Sequence, residues 1–247
     1  MDNIRNIKII IEYDGSNYSG WQIQNNSVTI QGVLKNALER LTGEKIDLVG
    51  ASRTDAGVHA YGQVANFLTS TSIPSEKICF AINNLLPNDI VVKSSLEVSK
   101  DFHSRFCSKG KIYRYFVYNQ RTPSAIFFNR AFHYPFSLNI EKMIKASKYF
   151  LGTHDFTSFR AAKCGAKTSI RTINALEIEL EGERVVFEIS GDGFLYNMVR
   201  IIVGTLLDVG SSKLEVDEIP NIIEGKNRLL AGKTVPACGL YLCRVNY

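Results

Sequence analysis

Two stretches of this sequence carry groups able to do chemistry in places where ordinary structure has little need of them. Residues 50–60 read Gly-Ala-Ser-Arg-Thr-Asp-Ala-Gly-Val-His-Ala, so Arg53, Asp55 and His59 stand close together among small residues. Glycine and alanine let a ligand or another backbone approach closely. One carboxylate with one cation suits a nucleophile or a general base held in its ionised form. The same composition also suits a polar turn capped by the aspartate. No second acid lies near Asp55 in sequence, which argues against the paired carboxylates of glycoside hydrolysis. The second stretch, residues 193–207, reads Gly-Phe-Leu-Tyr-Asn-Met-Val-Arg-Ile-Ile-Val-Gly-Thr-Leu-Leu. It is apolar on nearly every helical face, the pattern of a deeply buried helix. Arg200 is the only charge between Asp192 and Asp208. A buried guanidinium calls for a carboxylate, with Asp55 and Asp192 as candidates, unless it snorkels to solvent.

The chain carries 29 Lys and Arg against 24 Asp and Glu, a net charge of +5, which tilts it only slightly toward an anionic partner. The distribution says more. Residues 100–121 hold Lys100, Arg105, Lys109, Lys111, Arg114 and Arg121 against Asp101 alone, and residues 156–172 hold Arg160, Lys163, Lys167 and Arg171 with no acid. Each run by itself suits a solvated face. Two runs interleaved with aromatics favour a nucleic-acid groove. Lys109, Lys111, Arg160, Lys167 and Arg171, with His59, are the candidate nucleic-acid contacts.

Five cysteines, at 79, 107, 164, 238 and 243, form no Cys-x-x-Cys pair and read as small buried hydrophobes in a reducing compartment. His154 and Cys164 are too isolated for a zinc site, so no metal is expected. Residues 1–5 show no apolar signal region, and no run approaches the ~20 apolar residues of a membrane span. A cytoplasmic protein is expected.

The elements that must position these groups follow a repeated order. With 45% hydrophobic and 21% charged residues over 247 positions, the chain is a folded one and not a disordered one. Residues 7–13 read as a strand ended by the Asp14-Gly15 turn. Ile30, Val33, Leu34, Ala37, Leu38 and Leu41 repeat at helical spacing, with Ser27 or Thr29 to cap the start and Gly43 to end it. Strands over 45–50 and 61–68, a helix over 75–86 and a strand over 90–98 complete the first half. The second half predicts a strand over 111–118, a helix through Ile140, Met143, Ile144, Ser147 and Leu151, and strands over 172–180 and 184–190 about the Glu181-Gly182-Glu183 turn. A helix over 194–208 and a strand over 240–246 follow. The pattern β-α-β-β-α-β, twice, predicts an α+β fold of two ferredoxin-like halves, 1–106 and 107–247. The halves are expected to share one broad, mainly antiparallel sheet with helices on one face. Residues 119–135 and 156–170 are the longest connections and read as functional loops.

Against this background, Ala51–Ala60 with the following Gly-Gln-Val-Ala-Asn-Phe at 62–67 resembles the active-site segment of the TruA family of tRNA pseudouridine synthases. Phe-His-Ser-Arg-Phe at 102–106, with Lys-Ile-Tyr-Arg-Tyr at 111–115, resembles the family's second motif. Residues 150–159 resemble its third, 193–200 with Val203-Gly204 its fourth, and 239–242 its close. The motifs run in family order from Tyr13 to Leu242. The resemblance implies that Asp55 is the catalytic aspartate and that Arg53 enters the RNA stack and helps hold the base out. Tyr113 is then the tyrosine that stacks on the uracil, Arg200 the basic residue that pairs with the aspartate, and Leu240 an apolar wall of the base pocket. It further implies action on uridines 38, 39 and 40 of the tRNA anticodon arm, by a homodimer, without metal or organic cofactor. Ser52 stands where the family often has Gly, Asn197 where it often has His, and Val235 where it often has Ala.

The residues themselves agree with that chemistry. Moving the ribose bond from N1 to C5 of uracil oxidises nothing and spends no phosphate, and no dinucleotide or P-loop fingerprint is present. The target base must be extruded from its stem-loop. Two alternatives stay open from the sequence: a pseudouridine synthase acting on ribosomal RNA, and a non-catalytic RNA-binding protein with Tyr113, Tyr115 and Tyr118 as stacking residues.

Overall fold

The computed structural model describes residues 4–162 and 165–247. Lys163 of the second basic run and Cys164 lie outside the described residues. The strands are β1 (Arg5–Tyr13), β2 (Val49–Gly50), β3 (His59–Thr69), β4 (Ile90–Val98), β5 (Gly110–Tyr118), β6 (Phe132–His133), β7 (Gly152–Asp155), β8 (Ile170–Glu181), β9 (Arg184–Gly191) and β10 (Leu240–Asn246). The α-helices are α1 (Ile30–Thr42), α2 (Ile78–Asn83), α3 (Ile140–Ser147), α4 (Met198–Gly210) and α5 (Glu218–Glu224). The fold is α+β, and its main ladders are antiparallel. The chain divides into two compact units, Met1–Lys109 with Tyr241–Tyr247, and Gly110–Leu240.

In unit one the alternation of β1 buries Ile7, Ile9 and Ile11. These lie opposite Phe67, Ala65 and Gln63 of β3, with β4 on the other side of β1. β2 pairs with the far edge of β3, so the order β4-β1-β3-β2 is the split βαβ arrangement expected of the sequence. α1 starts where Thr29 accepts the Gly32 N–H at 3.3 Å and ends at Gly43, whose φ is +74°. The strand expected over 45–50 is only Val49–Gly50. Its upstream backbone is satisfied by side chains of α1 instead of a ladder: Glu39 accepts the Ile46 N–H at 3.1 Å and Gln31 donates to the Leu48 carbonyl at 2.8 Å. From Tyr241, β10 runs parallel to the start of β3, with Tyr241 opposite His59.

In unit two the order is β5-β9-β8-β7, antiparallel throughout, with β6 beside β5. Gly182, at φ +61°, makes the tight turn between β8 and β9. α3 lies against α4 and β8. The apolar helix expected over 194–208 begins only at Met198, because Asn197 adopts the left-handed conformation at φ +61°. Every residue of α4 except Arg200 and Asp208 is buried, as the apolar pattern requires. Among the described residues no helix is long and apolar enough to cross a membrane.

Candidate active site

Asp55 is half-buried in the segment that leads into β3. Upstream, the Ala51 N–H donates to the Val64 carbonyl at 2.8 Å and Gln63 donates to the Ser52 carbonyl at 2.7 Å. At the aspartate itself the Val58 N–H donates to the Asp55 carbonyl at 3.2 Å and closes a turn. On the other side the segment is braced by residues 13–21. The Trp21 N–H donates to the Thr54 carbonyl at 3.0 Å, and the Tyr13 and Thr54 hydroxyls meet at 2.7 Å in the interior. Gly20 sits directly behind the aspartate: a Cβ there would fall 2.5 Å from the Thr54 oxygen and 3.0 Å from the Asp55 carbonyl carbon, and its φ is +90°. Only glycine fits that place.

Arg53 is exposed two residues before Asp55. His59 is the opposite case. Only 2% of it is exposed; its Nδ1 lies 3.1 Å from the Asp14 carboxylate, and its ring stacks on Tyr241 at 4.5 Å. Tyr241 stacks in turn on Tyr61 at 4.9 Å. The expectation that His59 touches RNA is therefore corrected: enclosed in this stack, it anchors the end of the Asp55 segment to β10.

In unit two, Arg200 is half-buried on α4. Its Nε donates to the Val235 carbonyl at 2.7 Å and a terminal nitrogen donates to Asn197 Oδ1 at 2.8 Å. The Asp192 carboxylate accepts the Thr172 N–H at 3.1 Å. The strand of chain that offers the Val235 carbonyl comes very close to α4: a Cβ at Gly204 would fall 1.9 Å from the Lys233 oxygen. The same stretch is held at its next residue by the hydroxyl of fully buried Tyr115, which donates to the Pro236 carbonyl at 2.7 Å. Burial pushes the Tyr115 ionisation well above the usual tyrosine range; the Cys238 thiol adds to the rise and Arg200 pulls against it. Burial likewise raises Cys238. This pinning delivers Leu240, itself buried, at the start of β10. Tyr113 lies on β5, two residues before Tyr115, with its ring edge-on to Phe194 at 5.2 Å.

Among the basic candidates, Lys109 in unit one is exposed, as is Lys167 in unit two. Lys111, Arg160 and Arg171 in unit two are half-buried, and Arg171 donates to the Thr168 carbonyl at 3.1 Å. Among the described residues no three His, Cys, Asp or Glu side chains gather so as to hold a metal ion.

The sequence profile of tRNA pseudouridine synthases matches residues 9–107 and 146–247. The tRNA pseudouridine synthase A of Acetivibrio thermocellus is 57% identical over 244 residues, covering 99% of this chain and 100% of its own. The chain belongs to the tRNA pseudouridine synthase family. The same-named proteins of Ruminiclostridium cellulolyticum and Clostridium acetobutylicum are 52% and 50% identical, again over 99% of this chain and 100% of theirs. Arg53, Asp55, His59, Arg160, Lys167, Arg171, Arg200 and Leu240 fall inside the segments matched to the synthase profile. Tyr113, Lys109 and Lys111 fall between those segments, in a stretch that the full-length relatives span.

Four supporting residues of this synthase hold roles that the sequence alone does not indicate: Tyr13, Gly20, Trp21 and Asn197. Gly20 directly before the only tryptophan was a signal of close backbone approach. Nothing in the sequence tied it to residue 55.

Proposed function

We propose that this synthase isomerises uridine to pseudouridine at positions 38, 39 and 40 of the tRNA anticodon stem-loop, with Asp55 as the catalytic carboxylate. What carries the reading is the place of Asp55 in a member of this family that matches its relatives along 99% of this chain. It is half-buried, in a segment tied to its unit by backbone bonds on both sides.

The reaction breaks the bond from N1 to C1′, makes one from C5 to C1′, removes the proton from C5 and places one on N1. The tasks are therefore nucleophile or base chemistry and proton transfer at a fixed position. Asp55 acts as a nucleophile toward the sugar or the uracil ring, or as a base that takes a sugar proton to give a glycal. We assign to Arg53 the holding open of the extruded base's place, to Tyr113 stacking on the uracil, to Arg200 the positive charge that keeps the carboxylate ionised, and to Leu240 an apolar wall. Lys109, Lys111, Arg160, Lys167 and Arg171 are assigned to phosphates of the RNA. The reading includes a cytoplasmic homodimer that uses no metal or organic cofactor. The test is release of tritium from tRNA carrying C5-labelled uridine, followed by mapping of the modified positions. Release from positions 38–40 supports the reading. Binding without release makes the protein a non-catalytic RNA binder, and release from ribosomal RNA alone moves the substrate.

A further inference from the structure

The loop at residues 99–107 is scaffolded far more heavily than a connection needs. Buried Asn6 donates to the carbonyls of Phe102 at 2.8 Å and Ser99 at 3.0 Å. The Ser104 N–H donates to buried Asn66 at 2.9 Å, and the Ser104 hydroxyl donates to the Val49 carbonyl at 2.7 Å. Tyr247 donates to the Ser104 carbonyl at 2.8 Å. Yet this fixed loop turns Phe106 outward, 76% exposed. The ring is not left alone. His103 lies against it with centroids 4.2 Å apart and 32° between planes, and the Arg105 guanidinium stands 5.8 Å from its centroid. His103 Nδ1 accepts the N–H groups of Arg105 and Phe106 at 3.2 and 3.3 Å, which fixes the imidazole plane.

We propose that Phe106, with His103 and Arg105, is a stacking platform for a nucleobase of the bound RNA other than the uridine that reacts. The proposal rests on the reading that RNA is the substrate. An exposed aromatic on a rigid loop is the geometry of a preformed contact, because no ordering entropy is left to lose on binding. A ring flanked by cations matches a base flanked by phosphates. Lys100, Arg105 and Lys109 are exposed about the loop, and Asp101 is its only acid. A protein partner would have to accept the same excess of positive charge. Val49, to which the loop is tied, immediately precedes residues 50–60, so one unit carries both the platform and Asp55.

The test compares Phe106→Ala and Phe106→Trp with the parent for tRNA affinity, single-turnover tritium release at saturating tRNA, and mass by light scattering. Phe106→Ala is expected to weaken affinity about tenfold or more with the saturating rate within about twofold of the parent, and Phe106→Trp to restore affinity. Because the ring is 76% exposed, Phe106→Ala is expected to keep the unfolding midpoint of the parent, and a urea unfolding curve of each variant separates a folding defect from lost affinity. Unchanged affinity in Phe106→Ala, failure of Phe106→Trp to restore it, or a changed mass in place of changed affinity overturns the platform. A parent that binds tRNA but releases no tritium defeats the proposed reaction and leaves the affinity comparison to decide the platform separately.

Discussion

In unit one Asp55 is held by backbone: Ala51 and Trp21 N–H groups, the Ser52 and Thr54 carbonyls, and the bare Cα of Gly20 pressed against the peptide behind it. In unit two Arg200 is held by its own side-chain bonds, to the Val235 carbonyl and the Asn197 amide oxygen. A backbone cradle fixes a group closely, and at Gly20 it leaves no room for side-chain growth. A guanidinium held by side-chain hydrogen bonds can be retuned by changing one of its acceptors. Of the three departures from the family resemblance, Ser52 lies in the cradle itself, while Val235 and Asn197 lie on the Arg200 side. Val235 serves Arg200 through its carbonyl, so its side chain is immaterial to that bond. Asn197 is among the few non-glycine residues at ease at φ +61°, and it adds an acceptor besides.

The difference predicts where substitutions act. Asp55→Ala is expected to lower single-turnover isomerisation by about 10⁴-fold or more with tRNA affinity little changed, as for other groups that act on the reacting atoms. Retained turnover would move the chemistry out of unit one altogether. Gly20→Ala is the sharpest test of the cradle. It forces a Cβ to within 2.5 Å of the Thr54 oxygen at a left-handed residue. It is expected to cost about 1–3 kcal/mol in urea unfolding and, by displacing Asp55, about 10²-fold in turnover. A variant that loses stability but not turnover would show that the aspartate tolerates a shifted backbone.

Much of this is legible in the sequence. The alternation of β1, the capping of α1 by Thr29 and Gly43, and the apolar run of α4 follow from local rules and stand as expected. Asp55 and Arg200 were legible because a carboxylate among glycines and a lone charge in an apolar run each break the pattern around them. The supports were not legible, because they are long-range. Tyr13 reaches Thr54 and the Asn6 amide reaches Phe102 only once β1, β3 and β4 have paired. β2 is shorter than its sequence pattern predicts for the same reason: Glu39 and Gln31 on α1 take backbone groups that a ladder would use. His59 read as a polar residue near the chemistry, whereas its stack on Tyr241 brings together positions far apart in the chain.

On the unit-two side the expected effects are smaller. Asn197→Gly keeps a residue suited to the left-handed conformation and removes only the acceptor from Arg200. Stability should change by less than about 1 kcal/mol while turnover falls about tenfold, the loss of one hydrogen bond to a charged group. Equal turnover with the parent would mean that the Asn197 acceptor is not needed to orient the guanidinium.

The smallest effect belongs to Tyr115, which supports the stretch leading to Leu240 without being assigned a part in the chemistry. Tyr115→Phe removes the bond to the Pro236 carbonyl and should cost about 1 kcal/mol at pH 8, with turnover lowered by less than about threefold. Its signature is in the pH dependence. Burial, then the Cys238 thiol, raises the folded ionisation of Tyr115 well above its value in the unfolded chain. The unfolded tyrosine ionises near pH 10. The stability conferred by the neutral hydroxyl is therefore complete below about pH 10 and is lost as pH rises from there toward the folded value. Tyr18 and Tyr247 in unit one are raised as well, chiefly by burial, so the parent should lose stability above pH 10 through several groups at once. Each contributes a slope of up to about 1.4 kcal/mol per pH unit. Urea unfolding of the parent and Tyr115→Phe at pH 8, 10 and 11 separates the shares. The variant should begin lower at pH 8 and fall less steeply above pH 10, so that the two curves converge. Parallel curves would place the alkaline loss in groups other than Tyr115 and leave Tyr115 as a hydrogen-bond donor alone.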